Sequence, residues 1–419
     1  MLAYQRVLCC AALVAVGPAL RGEGPKANSG PEAARLRREV NLDNWDDGGE
    51  RSRFAYLNTA QLFPVAVVGR AGPVLALPST PNPAIGRFVV ANEGGRDITL
   101  EQLLADGRFD GFLVLHRGRV VYERYPRMRP GDKHLLFSVT KALVGTAVAI
   151  LEDRGALRID RPIGDYIVEL KGTAWENVPV RDVLEMASGM EGGENEGAYS
   201  DPGHKHYQLE ASLGWLPKTS AHPEPVQQEE TYRYLATLSR VREPGSRWEY
   251  ASVNTAVLGW LLERLTGKTL SEVLTDELWS RMGAEGDALM AVSRNGIAVA
   301  HAGLAASLRD VARFGLLFAH RPASQGDERV ISDRVLRRIT QEGRPKILGS
   351  EPRLESRTHV AYQWDGVTAK GDFYKGGFAG QLLYVAPRKD VVIVHFGTNA
   401  SLEEEPRRLP LQRMVDALF

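Results

Sequence analysis

Ser138 and Lys141 are the first residues in the chain whose types and spacing suit chemistry. They stand at the start of an apolar stretch, Ala142 to Leu151, that predicts a buried helix. Side chains three residues apart share one face of a helix, so the lysine amine can reach the serine hydroxyl. Serine needs a neighbouring base, and lysine can act as one when burial or a nearby cation lowers its pKa. The pair predicts nucleophilic catalysis, although an N-capping serine followed by a solvated lysine has the same spacing.

A tyrosine segment follows roughly a hundred residues later. Tyr250 comes after the turn sequence EPGS and stands before an apolar helix predicted from Thr255. A phenol beside two lysines is expected to have a lowered pKa and to act as a proton shuttle. The alternative is a tyrosine at the edge of the core whose hydroxyl reaches water.

A lysine-glycine segment, Lys375-Gly376-Gly377, comes after a similar interval, on the β-rich run FYKGGFAGQLLYVAP. Glycines weaken a strand unless a ligand or another backbone must come close. A lysine beside a pocket would bind a substrate carboxylate or hold the tyrosine ionised. The alternative is a surface lysine next to a glycine bulge.

The order and spacing of these three segments resemble those of the penicillin-recognising serine enzymes. Three flanking segments resemble this family too: VRDVLEMASGM, PGSRWEYASVNTAVLGWLLERLTG and HAGLAASLRDVARFGLLF. The resemblance covers roughly Gly111 to Val394. The chain looks most like the beta-lactamase-related hydrolases, which include class C beta-lactamases, D-alanyl-D-alanine carboxypeptidases, esterases and 6-aminohexanoate-dimer hydrolases. The run GFAGQ, the Y-x-S form of the tyrosine motif and an extension from Trp45 onward resemble the last group.

The resemblance implies a role for each motif residue. Ser138 would be the acylated nucleophile, and Lys141 would take or relay its proton. Tyr250 would pass a proton to the leaving group and later activate water. Lys375 would keep the site electropositive. The backbone N–H groups of Ser138 and Phe378 would form the oxyanion hole.

Two positions depart from the family pattern. Ser252 stands where the tyrosine motif usually has asparagine, with Asn254 further along, and Gly376 stands where the third motif usually has a hydroxyl. The usual groups hold the amide and carboxylate of a beta-lactam, so their loss argues against penicillin as the substrate. Residues expected to contact substrate come from these motifs and from the loop EGGENEGAYSDPGHKHYQLE: Ser252, Asn254, Gly376, Gly377, Tyr199 and Asp201.

The resemblance therefore implies hydrolysis of an ester or a linear amide, in a small molecule or a peptide-like substrate, and no cofactor. A class C-type beta-lactamase or D-alanyl-D-alanine carboxypeptidase is the nearest alternative. A catalytically silent protein that binds peptidoglycan fragments is the alternative from another class. His204-Lys205-His206 raises the question of a metal, but a solvated loop is the favoured interpretation and no metal site is expected.

The fold class implied is α/β (α+β), with an antiparallel sheet flanked by helices and an all-helical lobe. Two hairpins are predicted, one in GFLVLHRGRVVYERY and one turning at Pro387 to Asp390. Helices are predicted between the hairpins, and PLQRMVDALF predicts a terminal helix. The beta-lactamase-related catalytic domain is expected over residues 98–419, preceded by an irregular N-terminal extension over 48–97 with one or two short strands.

The N-terminal residues predict export. Residues 1–19 combine Arg6, an apolar run and small residues near Ala19, as in a signal peptide, with an uncleaved interfacial helix as the alternative. Cys9 and Cys10 lie inside this run, so a protein cut after Ala19 has no cysteine, which suits a periplasmic or secreted location. Residues 20–47 are polar and predict a disordered linker.

Composition limits the remaining function classes. The chain has 52 basic and 52 acidic residues, and this zero net charge argues against a nucleic-acid partner. The sequence also offers no apolar segment long enough for a transmembrane helix beyond the signal peptide.

Overall fold

The computed structural model describes residues 30–91, 95–216, 229–319, 329–349, 357–401 and 409–419. Its α-helices are α1 (Gly30–Glu39), α2 (Gly49–Leu57), α3 (Thr59–Leu62), α4 (Pro83–Gly86), α5 (Leu100–Leu104), α6 (Thr140–Asp153), α7 (Val180–Leu184), α8 (Lys205–Leu213), α9 (Glu229–Thr237), α10 (Ser252–Thr266), α11 (Leu270–Leu274), α12 (Leu308–Leu316), α13 (Asp333–Gln341) and α14 (Leu411–Leu418). Its β-strands are β1 (Val65–Val68), β2 (Val89–Ala91), β3 (Asp97–Thr99), β4 (Phe109–His116), β5 (Arg119–Arg124), β6 (His134–Leu135), β7 (Ala288–Ala291), β8 (Leu304–Ala306), β9 (Arg357–Ala361), β10 (Trp364–Thr368), β11 (Phe373–Gly377), β12 (Gln381–Ala386) and β13 (Val391–Gly397).

A seven-stranded antiparallel sheet, in the order β5-β4-β13-β12-β11-β10-β9, forms the centre of the fold. The early hairpin joins the late strands because β4 pairs with β13, with Val114 opposite Ile393. Side chains alternate between the two faces of a strand, so Leu113 packs on the side of α12 and Phe112 on the side of α5 and α14. Both faces of the sheet are therefore covered by helices.

A second antiparallel sheet, in the order β1-β7-β8-β6, connects the N-terminal segment to the start of the candidate site. Val65 of β1 lies opposite Ala291 of β7, and Leu135 of β6 lies opposite Ala305 of β8. Strand β6 ends three residues before Ser138, so ladder hydrogen bonds fix the chain just ahead of this serine.

Helix α6 carries the first motif through the interior, and every residue from Thr140 to Glu152 is buried. Gly145 permits unusually close packing, because a Cβ there would lie 2.1 Å from the carbonyl oxygen of Tyr362. Gly155 follows the helix in the left-handed conformation, with φ of +79°, as expected of a glycine that ends a helix.

The main elements confirm the sequence-based expectation of a mixed α/β fold with an antiparallel sheet. Both predicted hairpins, the buried helix and the terminal helix are present. Strands β7 to β10 were not expected, because their sequences lack a regular alternation of apolar and polar residues.

The predicted disordered linker over residues 20–47 is wrong for its described part, which begins at Gly30. This part contains α1, and Leu36, Val40 and Trp45 are buried in the main hydrophobic core. Leu36 and Val40 are four residues apart, and this spacing places both on one face of a helix. The charged residues between them lower the average hydrophobicity of the segment. Its composition therefore did not indicate that one face of a helix would be buried.

The extension over residues 48–97 is more regular than the sequence suggested. Besides the short strands β1 and β2 and the start of β3, it contains α2, α3 and α4. The predicted signal peptide at residues 1–19 lies outside the described residues. Among the helices that are described, none has the length and apolar character needed to cross a bilayer.

Candidate active site

Ser138 lies in a short 3₁₀ turn, Phe137–Val139, that runs directly into α6. The preceding residue, Phe137, has a left-handed backbone with φ of +46°. Lys141 follows one turn later, and its Nζ donates a hydrogen bond to the Ser138 Oγ over 2.9 Å. The structure thus brings the serine hydroxyl and the lysine amine together as the three-residue spacing predicts.

Lys141 lies in an environment that favours its neutral form. Its side chain is completely buried, and its Nζ also donates to the carbonyl oxygen of His301 over 3.1 Å. Burial, assisted by the positive charge of Lys375 and opposed by the negative charge of Glu194, lowers the pKa of Lys141 to about 8. An amine with this pKa can accept a proton near neutral pH.

The ring of His301 is anchored on the side of the site that faces α8. Its Nε2 lies 2.6 Å from a carboxylate oxygen of Glu210, and both residues are buried. The same carboxylate oxygen lies 3.4 Å from the Nε2 of His206. His301 is therefore held in two ways: its backbone carbonyl accepts from Lys141, and its side chain contacts Glu210.

Tyr250 and Lys375 meet on the other side of the serine. The Nζ of Lys375 donates to the Tyr250 hydroxyl over 3.0 Å and forms an ion pair with Asp365. Tyr250 and Ser138 line the same cavity. Asp365 lies on β10, beside β11, and its second oxygen accepts from the backbone N–H of Gly376 over 2.9 Å.

The expected lowering of the Tyr250 pKa is wrong. Burial raises the pKa of this phenol well above its usual range, and the charges of Asp365 and Glu194 add to the effect. The sequence suggested a phenol between two cations, but Asp365 neutralises Lys375 and burial favours the neutral form of Lys141. Tyr250 is therefore a neutral phenol that can donate and accept a proton.

The end of β11 lies very close to the turn that carries Ser138, Phe137–Val139. A Cβ at Gly377 would lie 2.6 Å from the carbonyl oxygen of Leu136, so only glycine allows this approach. Phe378 follows at once, and its ring contacts that of Phe137 with centroids 5.3 Å apart. The backbone of Phe378 is thereby brought to the same end of the site as the backbone of Ser138.

A cavity of about 340 Å³ opens onto these groups. Six residues selected from the sequence form part of its wall: Ser138, Tyr199, Tyr250, Gly376, Gly377 and Phe378. Five of the other wall residues are apolar or aromatic and come from the late strands, from the start of α14 and from the segment just before it: Tyr374, Leu382, Tyr384, Leu409 and Leu411.

Three residues expected to contact substrate lie away from this wall. Ser252 is occupied by Glu194, to which it donates from its backbone N–H over 3.0 Å and from its Oγ over 2.5 Å. Asn254 is buried in α10 and donates to the carbonyl oxygen of Ala251. Asp201 is exposed and accepts from the N–H of Gly203, so it shapes its own loop.

Two carboxylates in the cavity wall were not selected from the sequence. Glu194 accepts from the Tyr199 hydroxyl as well as from Ser252. Burial alone would raise the pKa of Glu194, but the charges of His206 and Lys141 and these two hydrogen bonds lower it to about 2. The loop around Glu194 was recognised as a candidate pocket segment, whereas nothing in the sequence near Asp365 marks it as functional.

The histidines of the same loop differ from the expectation of a solvated segment. The Nδ1 of His204 accepts from the N–H of His206 at the start of α8, but His206 itself is buried against Glu210. Within the parts of the chain that the structure describes, no group of three or more His, Cys, Asp or Glu side chains is arranged to hold a metal ion.

A serine hydrogen-bonded to a buried lysine, with a tyrosine beside them on this mixed α/β scaffold, is the arrangement expected of a serine hydrolase. The chain belongs to the Beta-lactamase family, whose sequence profile matches residues 96–417. This membership confirms the beta-lactamase/transpeptidase-like fold implied by the sequence motifs.

Relatives with closely related names are found by sequence and by structure. The chain is 31% identical over 360 residues to a 6-aminohexanoate-dimer hydrolase from Paenarthrobacter ureafaciens, covering 85% of this chain and 87% of that protein. Over 190 residues it is 30% identical to Esterase EstB from Burkholderia gladioli, covering 42% and 46% of the two chains. A solved Bacillus anthracis structure assigned as a 6-aminohexanoate-dimer hydrolase superimposes with a TM-score of 0.76 at 25% identity, covering 91% and 95%. The relatives are hydrolases, and the chain is a serine hydrolase of esters or amides.

Proposed function

We propose that the protein cleaves esters or linear amides through an acyl-enzyme on Ser138. The observation that carries the proposal is the 2.9 Å hydrogen bond between the Ser138 Oγ and the buried amine of Lys141. Burial lowers the pKa of that amine to about 8, so about a tenth of it is neutral at pH 7 and can take the serine proton.

Acylation and deacylation use four residues of the site. The Ser138 Oγ attacks the carbonyl carbon as its proton passes to Lys141, and the N–H groups of Ser138 and Phe378 donate to the developing oxyanion. Collapse of the tetrahedral intermediate breaks the C–O or C–N bond, and the leaving group takes the proton through Tyr250. Water then attacks the acyl-enzyme, its proton passes to the serine oxygen by the same relay, and the acid leaves.

The cavity wall favours esters and linear amides over beta-lactams. Ser252 is engaged by Glu194 and Gly376 has no side chain, so the two polar groups that usually hold a beta-lactam are lacking. An ester needs only the nucleophile, the proton relay and the oxyanion hole. The mostly apolar wall suits an apolar acyl or leaving group. The names of the relatives, one a 6-aminohexanoate-dimer hydrolase and one an esterase, agree with this choice.

A substrate panel tests the proposal. We expect kcat/KM for p-nitrophenyl butyrate or a linear amide oligomer to exceed that for a chromogenic cephalosporin, and a fluorophosphonate probe to label the protein. Ser138→Ala should abolish labelling and turnover without unfolding the chain. Lys141→Ala and Tyr250→Phe should each lower turnover by about a hundredfold or more.

Other results would favour the alternatives. A higher value for the cephalosporin would favour the beta-lactamase. A folded protein that neither labels nor turns over any substrate, yet binds a peptidoglycan fragment, would favour the silent binding protein. Near wild-type turnover by Ser138→Ala would remove this serine as the nucleophile.

We also propose that the protein is exported, on the support of the signal-peptide pattern in residues 1–19. Expression of the full chain in a bacterial host followed by N-terminal sequencing tests this. We expect the mature protein in the periplasmic fraction to begin just after Ala19. An uncut chain in the cytoplasmic fraction would contradict the proposal.

A further inference from the structure

The turn that carries Ser138, Phe137–Val139, which we call the nucleophile turn, is packed against aromatic residues from a segment that precedes the family match at residues 96–417. The ring of Trp45 stacks on that of Phe137 with an interplanar angle of 17° and centroids 5.9 Å apart. The ring of Tyr56 meets the same Phe137 ring edge-on at 4.8 Å. Each of these three side chains is less than a tenth exposed. We propose that Trp45 and Tyr56 are positioning residues that hold Phe137, and through it the nucleophile and the oxyanion hole, in the reactive arrangement.

Phe137 needs such support because its backbone is strained. Its φ of +46° lies in the left-handed region, which a bulky residue seldom adopts. Strain of this kind persists only where the surrounding structure over-determines it. Trp45 and Tyr56 enclose the ring, so the strained conformation is fixed by packing from the N-terminal segment.

Phe137 links the two halves of the oxyanion hole that we assigned under the proposed function, on which this inference rests. Ser138 is the next residue along the chain, so rotation of the Phe137 backbone would turn the Ser138 N–H. The Phe137 ring also contacts the ring of Phe378, whose N–H is the second donor. Movement of this one ring would therefore change the distance between the two donors.

Trp45 is itself held in place by a polar contact. Its Nε1 donates to the carbonyl oxygen of Trp215 over 3.3 Å, and its ring also packs edge-on against Trp215 and Phe63. The tryptophan is therefore oriented by its neighbours and presents a defined face to Phe137.

A matched pair of substitutions distinguishes a positioning role of Trp45 from the general stabilisation that any buried tryptophan provides. Trp175 is also completely buried, and its Nε1 donates to the carbonyl oxygen of Leu235 over 2.9 Å, but it has no ring contact with Phe137. Trp45→Leu and Trp175→Leu both remove a buried indole with one hydrogen bond. Both variants should lower the melting temperature, because each leaves a cavity.

The measurements are kcat and KM for p-nitrophenyl butyrate and the affinity for an alkyl boronic acid. A boronate forms a tetrahedral adduct on Ser138 and places an oxygen in the oxyanion hole, so its affinity reports the geometry of that hole. We expect Trp45→Leu to lower kcat by about tenfold or more, with KM within about twofold, and to weaken boronate binding by a similar factor. Trp175→Leu should keep wild-type kcat and boronate affinity, and Trp45→Phe, which keeps a smaller ring against Phe137, should recover only part of the loss.

Two results would overturn the inference: wild-type kcat and boronate affinity in folded Trp45→Leu, or an equal loss of both in Trp175→Leu. If a leucine variant does not fold, Tyr56→Leu and the milder pair Trp45→Phe and Trp175→Phe decide the question by the same measurements. In that case the inference requires a lower kcat in Trp45→Phe than in Trp175→Phe. Ser138→Ala is measured alongside, since retained activity in that variant would instead refute the proposed function.

Discussion

Lys375 donates a hydrogen bond from its Nζ to the Tyr250 hydroxyl over 3.0 Å, although 125 residues separate them in the chain. The same ammonium forms an ion pair with Asp365, and the Lys375 side chain is fully buried. The site is therefore a network in which one carboxylate neutralises the cation nearest the tyrosine. Burial, with the charges of Asp365 and Glu194, raises the pKa of Tyr250, which supports the proposed role of Lys141 as the group that accepts the serine proton.

The first prediction concerns the pH dependence of the reaction. Lys141 must be neutral to accept the proton of Ser138, and burial lowers its pKa to about 8. We expect kcat/KM for an ester to rise as pH increases through about 8, because the neutral fraction of Lys141 grows. A pH profile from 5.5 to about 9.5, corrected for spontaneous hydrolysis, measures this. A flat profile across pH 8 would show that another group accepts the proton.

The second prediction follows from Glu194. Its negative charge raises the pKa of Lys141, against the effect of burial. Glu194→Gln should therefore lower the pKa of Lys141 and move the acid limb of the kcat/KM profile to lower pH. Glu191→Gln is the control, because Glu191 lies in the same loop and accepts from the N–H of Ser239. A shift in the opposite direction, or an equal shift in the control, would exclude this electrostatic role.

The third prediction contrasts two adjacent glycines. A Cβ at Gly376 would lie 3.5 Å from a carboxylate oxygen of Asp365, an ordinary contact, whereas one at Gly377 would lie 2.6 Å from the carbonyl oxygen of Leu136. Gly377→Ala should displace the end of β11 and lower ester kcat/KM by about a hundredfold. Gly376→Ser should keep ester turnover and raise cephalosporin kcat/KM by about tenfold, since it restores one hydroxyl.

Steady-state kinetics of both glycine variants with the ester and the cephalosporin checks this prediction. The melting temperature of each variant is measured alongside, to show that it is folded. Normal ester turnover in Gly377→Ala would mean that the nucleophile turn can move aside without cost.

The fourth prediction concerns the ion pair between Asp365 and Lys375. Lys375 is fully buried whereas Asp365 is partly exposed, so Asp365→Asn leaves a buried ammonium without its partner and should reduce the free energy of unfolding by about 1–3 kcal/mol. The exposed pair between Asp160 and Arg158 provides the control, and Asp160→Asn should leave the denaturation midpoint unchanged. Urea denaturation of both variants measures the difference. Equal midpoints would show that Lys375 finds another partner or loses its proton at little cost.

The sequence determined the local part of the site. Ser138 and Lys141 are three residues apart at the start of a helix, so helix geometry alone predicts that their side chains meet. The two hairpins were equally predictable, because each is specified by adjacent apolar runs and the turn between them. Motif order added Tyr250 and Lys375 as candidates, and the cavity wall includes Gly376, Gly377 and Phe378 as expected.

Only the tertiary structure decided which groups act on these residues. Asp365 reaches Lys375 because β10 and β11 pair side by side, and Glu194 reaches Ser252 across 58 residues of chain. Burial of Tyr250, with the charges of Asp365 and Glu194, changed the prediction for its pKa from lowered to raised. The contact with Glu194 removed Ser252 from the expected substrate contacts. In the same way, Trp45 lay in a segment predicted to be disordered, yet it packs against Phe137. Spacing along a chain encodes the contacts within a helix or a hairpin, whereas burial and the charges that surround a group depend on segments that meet only when the chain folds.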